Sequence, residues 1–171
     1  MKKIAIIGPE CTGKTTLAMQ LAAHYNTIFV PEYAREHVMR LQGNYTFDDV
    51  VFIAKRQVEE YNVYDEDANN ILFFDTDMII TKVWFEVVYN ESPPWVNEFI
   101  RVNHFDYHLL CNTEIPWEPD LARENGGAMR ETLFNRYEKE LITQGFSYGV
   151  ITGKGENRLK NAIIMLNKNL K

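Results

Sequence analysis

Gly8-Pro-Glu-Cys-Thr-Gly-Lys-Thr15 decides how this chain of 171 residues folds. The stretch satisfies the spacing G-x-x-x-x-G-K-[ST] of a phosphate-binding loop. Gly8 and Gly13 permit a tight turn and bring backbone N–H groups close to phosphate oxygens. Lys14 supplies a mobile positive charge for the outer phosphates of ATP, and Thr15 a hydroxyl for Mg²⁺. Thr16 carries the chain into a helix whose free N–H groups and partial positive charge also favour an anion. Glu10, Cys11 and Thr12 complete the set expected around the nucleotide.

The flanks agree with this reading. Lys3-Ile-Ala-Ile-Ile7 is an apolar run suited to a buried parallel strand. In Thr16–Tyr25, Leu17, Leu21 and Tyr25 recur on one helix face. Strand, loop and helix therefore follow in the order the motif requires, which separates it from a chance glycine turn.

The bulk properties narrow the class. A length of 171 residues suits one domain with a single core, taken here as 1–171. Hydrophobic residues make up 46% of the chain, as in a globular protein. A net charge of −6 argues against general nucleic-acid binding, so cations for phosphate must be placed locally. The two cysteines, Cys11 and Cys111, do not form a disulfide framework. No signal peptide and no membrane-spanning run is read, so the expected location is the cytoplasm. Nothing in the chain specifies an oligomeric state.

Further strands are expected at Thr27–Val30, Ile71–Phe74, Tyr107–Cys111 and Tyr148–Ile151. Helices are expected over Tyr33–Leu41, from a capping box at Thr46–Asp49 to near Asp67, over Met78–Tyr89, and briefly from Trp95. An amphipathic helix carries Met129, Leu133, Tyr137 and Leu141, and a last one carries Leu159, Ile163, Leu166 and Leu170. Between them, about 116–130, a segment with little periodicity reads as a small mobile lid. Strands alternating with helices predict an α/β P-loop NTPase fold, a five-stranded parallel sheet with helices on both faces. Right-handed crossovers bring the phosphate loop, Glu32, Asp75 and the residues after Cys111 to one edge, where ligands bind in such sheets.

Four blocks in order, Gly8-Pro-Glu-Cys-Thr-Gly-Lys-Thr-Thr16, Glu32-Tyr-Ala-Arg35, Phe74-Asp-Thr-Asp77 and Pro116-Trp-Glu-Pro-Asp-Leu-Ala-Arg123, give the chain a more specific likeness. It resembles the ribosylnicotinamide kinase domain of the bacterial bifunctional NAD-biosynthesis regulator family. The resemblance spans nearly the whole chain. It implies ATP- and Mg²⁺-dependent phosphorylation of the ribose 5′-hydroxyl of nicotinamide riboside, a small-molecule nucleoside. The nucleotidyltransferase and DNA-binding regions of that family have no counterpart in these residues, so the kinase step alone is implied.

The residues support phosphoryl transfer in their own right, since it needs phosphate positioning, a metal, an orienting carboxylate and cations. Asp75, ending an apolar strand, is either a Mg²⁺ partner or the cap of the next helix. Glu32 is a candidate base or orienter, a role Asp77 also fits; otherwise Glu32 pairs with Arg35 on a solvated helix start. Asp77 is assigned to ribose hydroxyls, and Asp120 to the acidic substrate pocket. Arg123 is the expected lid cation, while Arg130 either assists it or lies on a solvated face. Arg35 serves the phosphate or Glu32, and Lys154 lies in the Gly153–Gly155 turn where such folds hold adenine. Tyr33 and Trp117 are candidates to sandwich a flat ring, whereas Trp84 and Phe85 read as packing. His104 and His108 lack a third ligand for zinc.

Two other readings remain at this stage: a kinase of the same shape acting on a deoxynucleoside or a vitamin alcohol, and an ATP- or GTP-binding switch. Cys111-Asn-Thr-Glu114 lacks the Asn-Lys-x-Asp pattern of a GTPase.

Overall fold

The apolar run ahead of the phosphate loop becomes the central strand of the sheet. In this computed structural model, which describes residues 1–63, 70–102, 105–120 and 123–170, β1 (Lys2–Ile7) is followed by α1 (Lys14–His24), β2 (Phe29–Val30), α2 (Tyr33–Arg40) and α3 (Phe47–Val63). Then come β3 (Ile71–Asp75), α4 (Met78–Tyr89), α5 (Pro94–Val102) and β4 (Tyr107–Cys111). The chain continues through α6 (Ala128–Gln144), β5 (Tyr148–Ile151) and α7 (Glu156–Asn169).

The strand order is β2-β3-β1-β4-β5, and every pairing is parallel. Successive strand residues point to opposite faces, and both faces are covered. Ala5, Ile7, Leu72, Phe74 and Leu110 meet α3, α4, α5 and α6. Ile4, Ile6, Ile71, Phe73 and Leu109 meet α1 and α7. A sheet buried on both sides has no polar face, and this is why its strands read as continuous apolar runs.

The expected architecture is found, and α4, β4 and β5 have the expected bounds. The differences have local causes. The second strand shortens to Phe29–Val30 because the Thr27 N–H closes the end of α1 on Ala22 O, while its hydroxyl donates to Ile71 O at 2.7 Å. The first helix begins two residues early: Gly13 caps it in the left-handed conformation (φ 75°), so Lys14 and Thr15 occupy its first turn. Ala128–Arg130, assigned to the lid, are already helical. The capping box holds, with Asp49 accepting from Thr46 N at 2.8 Å and from its hydroxyl at 2.7 Å. These bonds pull the Asp49 carboxyl down to about 2. The expected end of that helix near Asp67 lies outside the described residues, as does His104.

Phe73 is fully buried at the centre of one face, whereas Met19 on α1 is 55% exposed. Phe73→Ala is expected to cost about 3–5 kcal/mol, and Met19→Gln no more than about 0.5 kcal/mol, in urea unfolding. Similar midpoints for both variants would contradict this placement of the core.

Candidate active site

Because β1 is central and its neighbours β3 and β4 arise from different stretches of chain, the loop after β1 emerges at the point where the sheet opens. Its first glycine is fixed by crowding: a Cβ on Gly8 would lie 2.7 Å from the Cys111 carbonyl oxygen. Thr12 closes the loop through its hydroxyl to Pro9 O at 2.8 Å, and the Lys14 ammonium donates to the same carbonyl at 3.1 Å. The Thr15 hydroxyl donates to Asp75 Oδ2 at 2.6 Å, across the β1–β3 pair.

Asp75 is 3% exposed, and its Oδ1 has no hydrogen-bond partner among the described residues. Burial pushes its carboxyl up, against the attraction of Lys14 and the Thr15 bond. Glu32 occupies the cap position of α2 but makes no side-chain cap bond, so its carboxylate is left to the cleft. Burial raises it too, opposed by Lys14 and reinforced by Asp75. Thus two carboxyls with raised pKa values flank the phosphate loop, the kind of perturbation that marks functional sites.

A cavity of about 430 Å³ opens along this edge. The phosphate loop forms one end, including Gly8, Gly13, Lys14 and Thr15, with Glu32 and Arg35 beside it. The far wall is aromatic and aliphatic, made by Trp84, Tyr45, Tyr137 and Leu133. Trp84 comes from α4, where Ile80, Trp84, Val87 and Val88 recur at helical spacing along the cavity. Its Nε1 donates to Tyr45 Oη at 3.0 Å, and the rings meet edge to face at 4.8 Å. Trp84 therefore packs against the core, as expected, and also lines the cavity. Tyr45 and Tyr137 were missed. Apolar periodicity marks a residue as inward-facing but does not say whether it meets core or cavity.

The candidates read from sequence divide in the structure. Arg123 lines the cavity; its Nε lies 3.0 Å from Asp120 Oδ2, and Arg35 Nη2 lies 2.6 Å from the same oxygen. Asp120 thus gathers two guanidinium groups and is not among the residues lining the cavity. This also replaces the expected Glu32–Arg35 pair. Asp77 is turned away: Oδ1 accepts from Ile79 N at 2.9 Å, capping α4, and Oδ2 lies 3.0 Å from His108 Nε2. The cap considered for Asp75 belongs to Asp77, each of whose oxygens has an internal partner. Trp117 packs over Gly126, Tyr33 packs against Phe52 and His37, and the structure does not bring the two rings together as a sandwich. Lys154 is exposed in the turn after β5, away from the cavity lining.

Arg130 neither reaches the cleft nor sits on a solvated face. It is 6% exposed and donates to the backbone carbonyls of Glu10, Cys11 and Ile115 at 3.2, 3.2 and 2.8 Å. Glu10 in turn accepts from Asn125 N and Nδ2, both at 2.9 Å, and the Cys11 thiol donates to Pro116 O at 3.3 Å. The phosphate loop is therefore held from behind by the irregular segment and the start of α6.

A phosphate loop at the centre of a five-stranded parallel sheet, with a carboxylate at the end of the neighbouring strand and an open cavity alongside, defines a P-loop kinase fold. The chain belongs to the AAA domain family, which it matches over residues 3–158. It is 27% identical over 150 residues to the trifunctional NAD biosynthesis/regulator protein NadR of Salmonella typhimurium, covering 84% of this chain and 36% of that protein. The Escherichia coli protein of the same name is 27% identical over 148 residues, with the same coverage. The chain thus spans about a third of the length of these curated relatives, 36% in each case. Among solved structures, NadR in complex with NR superposes with a TM-score of 0.81 at 22% identity, covering 98% of this chain and 50% of the other. Deoxyadenosine kinase from M. mycoides with bound dCTP superposes at 0.64 and 17% identity, covering 97% and 99%. The resemblance read from the four sequence blocks is borne out.

The raised carboxyls carry a stability consequence. A group whose folded pKa lies above its unfolded value contributes stability below the unfolded value, and loses it as pH rises through the folded one. At neutral pH the buried Glu32 therefore lowers the stability of the unliganded fold relative to an uncharged side chain. Glu32→Gln is expected to be about 0.5–2 kcal/mol more stable than wild type at pH 7, the difference shrinking toward about pH 4. Melts at both pH values check this; lower stability of the variant at pH 7 would mean that Lys14 outweighs burial.

Proposed function

We propose that this chain is an ATP-dependent kinase that phosphorylates the ribose 5′-hydroxyl of nicotinamide riboside. The observation that carries the reading is the Thr15–Asp75 contact of 2.6 Å at one end of a cavity whose other end is walled by Trp84 and Tyr45. One end suits a metal-bound polyphosphate and the other a flat ring, with Glu32 between them. The relatives named for NAD biosynthesis, and the similar structure of NadR with NR, support the same acceptor.

Each group has a defined task. Lys14 and the N–H groups at the start of α1 hold the outer phosphates. Thr15 and Asp75 suit Mg²⁺: both offer hard oxygen donors, and Asp75 has an unpartnered buried oxygen. Mg²⁺ commonly keeps waters and phosphate oxygens as its remaining ligands. When bound, the ion neutralises charge on the transferring phosphoryl group. Glu32 orients the acceptor hydroxyl and takes its proton. Its raised pKa brings it closer to neutral pH, where a base is more effective. Arg123 and Arg35, gathered by Asp120, supply positive charge beside the phosphate loop. Tyr45 and Trp84 hold the base, where a pyridinium ring gains cation–π attraction of about 0.5–2 kcal/mol.

Two variants test the reading. Lys14→Ala should fold normally, as judged by its melting transition, and lose nearly all phosphoryl transfer in a coupled ADP-release assay; near-normal turnover would remove the kinase assignment. Trp84→Leu should raise KM for nicotinamide riboside by roughly 3–30-fold while leaving KM for ATP within about twofold. Unchanged riboside KM would displace the base from this end of the cavity.

A further inference from the structure

We infer that Glu124 selects the acceptor by charge, favouring a ribosylpyridinium that carries a neutral carboxamide over one that carries a carboxylate. This inference rests on the riboside kinase reading and assigns a specificity residue to its site.

Glu124 follows the arginine expected over the phosphates, but its side chain is partnered with the aromatic part of the lining. Its Oε2 accepts from the Tyr45 hydroxyl at 2.7 Å. Tyr45 Oη in turn accepts from Trp84 Nε1 at 3.0 Å. Trp84, Tyr45 and Glu124 thus form one chain of hydrogen bonds, and all three line the same cavity. Burial, and then the bond to Glu124, push the Tyr45 phenol up, so Tyr45 remains a donor and the negative charge stays on Glu124.

The neighbouring cations are committed elsewhere. Arg123 Nε lies against Asp120, and Arg123 Nη1 donates to the Glu118 carbonyl. Arg35 also lies against Asp120. Lys14 is held at the phosphate loop by Pro9 O. The aromatic end of the cavity therefore presents a carboxylate, with the positive charges of the lining kept by these contacts at Asp120 and the phosphate loop.

This distribution favours one of two closely related acceptors. Both carry the fixed charge of a pyridinium ring. The carboxamide form has net charge +1, attracted by Glu124. The carboxylate form is neutral overall and presents its own negative group to Glu124. Glu124 is exposed, so solvent weakens the effect, and like charges at contact distance in such a setting differ by about 1.4 kcal/mol, or roughly tenfold.

The test compares nicotinamide riboside, nicotinic acid riboside and uridine as acceptors for wild type and Glu124→Gln, with ATP saturating. Wild type should prefer the amide over the acid at least ~5-fold in kcat/KM. Glu124→Gln should bring the ratio to within about twofold of unity, mainly by raising use of the acid form, while KM for ATP stays unchanged. Calorimetric binding of both ribosides in the presence of a non-hydrolysable ATP analogue should show the same loss of preference, which separates acceptor selection from a disturbance of phosphate binding. Glu124→Asp, retaining the charge, should keep at least half of the preference in logarithmic terms. Equal use of both ribosides by wild type, or an unchanged ratio in Glu124→Gln, overturns the assignment of Glu124 while leaving the riboside kinase intact. Activity on neither riboside would overturn the proposed function itself, and this inference with it.

Discussion

A Cβ at residue 8 would lie 2.7 Å from the Cys111 carbonyl oxygen, closer than the two atoms can approach. The chain leaving β1 can pass that carbonyl only as glycine, and the rest of the site depends on its doing so. Once past, the loop turns back toward β3, Gly13 starts α1 in a left-handed conformation, and Thr15 comes within hydrogen-bond distance of Asp75. A strand order that places β1 between β3 and β4 is what makes this possible. The loop has a neighbour on each side: β4 supplies a steric limit and β3 a carboxylate.

The charges gathered at this edge are poor for stability and suited to phosphate chemistry. Asp75 and Glu32 are both raised chiefly by burial, and both lie near Lys14. Buried carboxylates without full hydrogen bonding strain a fold unless cations or ligands neutralise them. Here the compensating cations are mobile or held at the margin: Lys14 on its flexible stem, Arg35 and Arg123 on Asp120. A bound divalent metal would supply positive charge beside Asp75. The unliganded site is thus electrostatically incomplete in a way that matches the substrate proposed for it.

Much of this was legible from residue order. The sheet could be read because strands buried on both faces are apolar along their whole length, and Asp75 stood out because it ends such a run. What was not legible depended on which partner a polar group chooses. Asp75 and Asp77 are two residues apart on one strand end, and nothing in their spacing says that Asp77 turns inward to His108 and the α4 N–H groups while Asp75 turns to Thr15. Trp84 and Trp117 pose the same problem for rings. Helical spacing suggested core for Trp84, and an irregular setting suggested ligand for Trp117. Trp84 does pack against the core but also lines the cavity, and Trp117 covers Gly126. Arg130, read as a surface or assisting residue, is buried against three carbonyls of the backbone behind the phosphate loop.

That last arrangement explains an otherwise awkward residue. Glu10 places an acid inside a loop meant to bind anions. Its two oxygens are occupied by Asn125 N and Nδ2, and its carbonyl by Arg130. The two N–H donors satisfy its carboxylate, and the guanidinium brings positive charge to the neighbouring backbone. The same contacts tie residues 115, 116 and 125 to the loop, with Cys11 donating to Pro116 O. The irregular segment is therefore anchored directly to the phosphate-binding turn. Arg123 and Glu124, which line the cavity with opposite charges, thus directly precede the residue that holds Glu10.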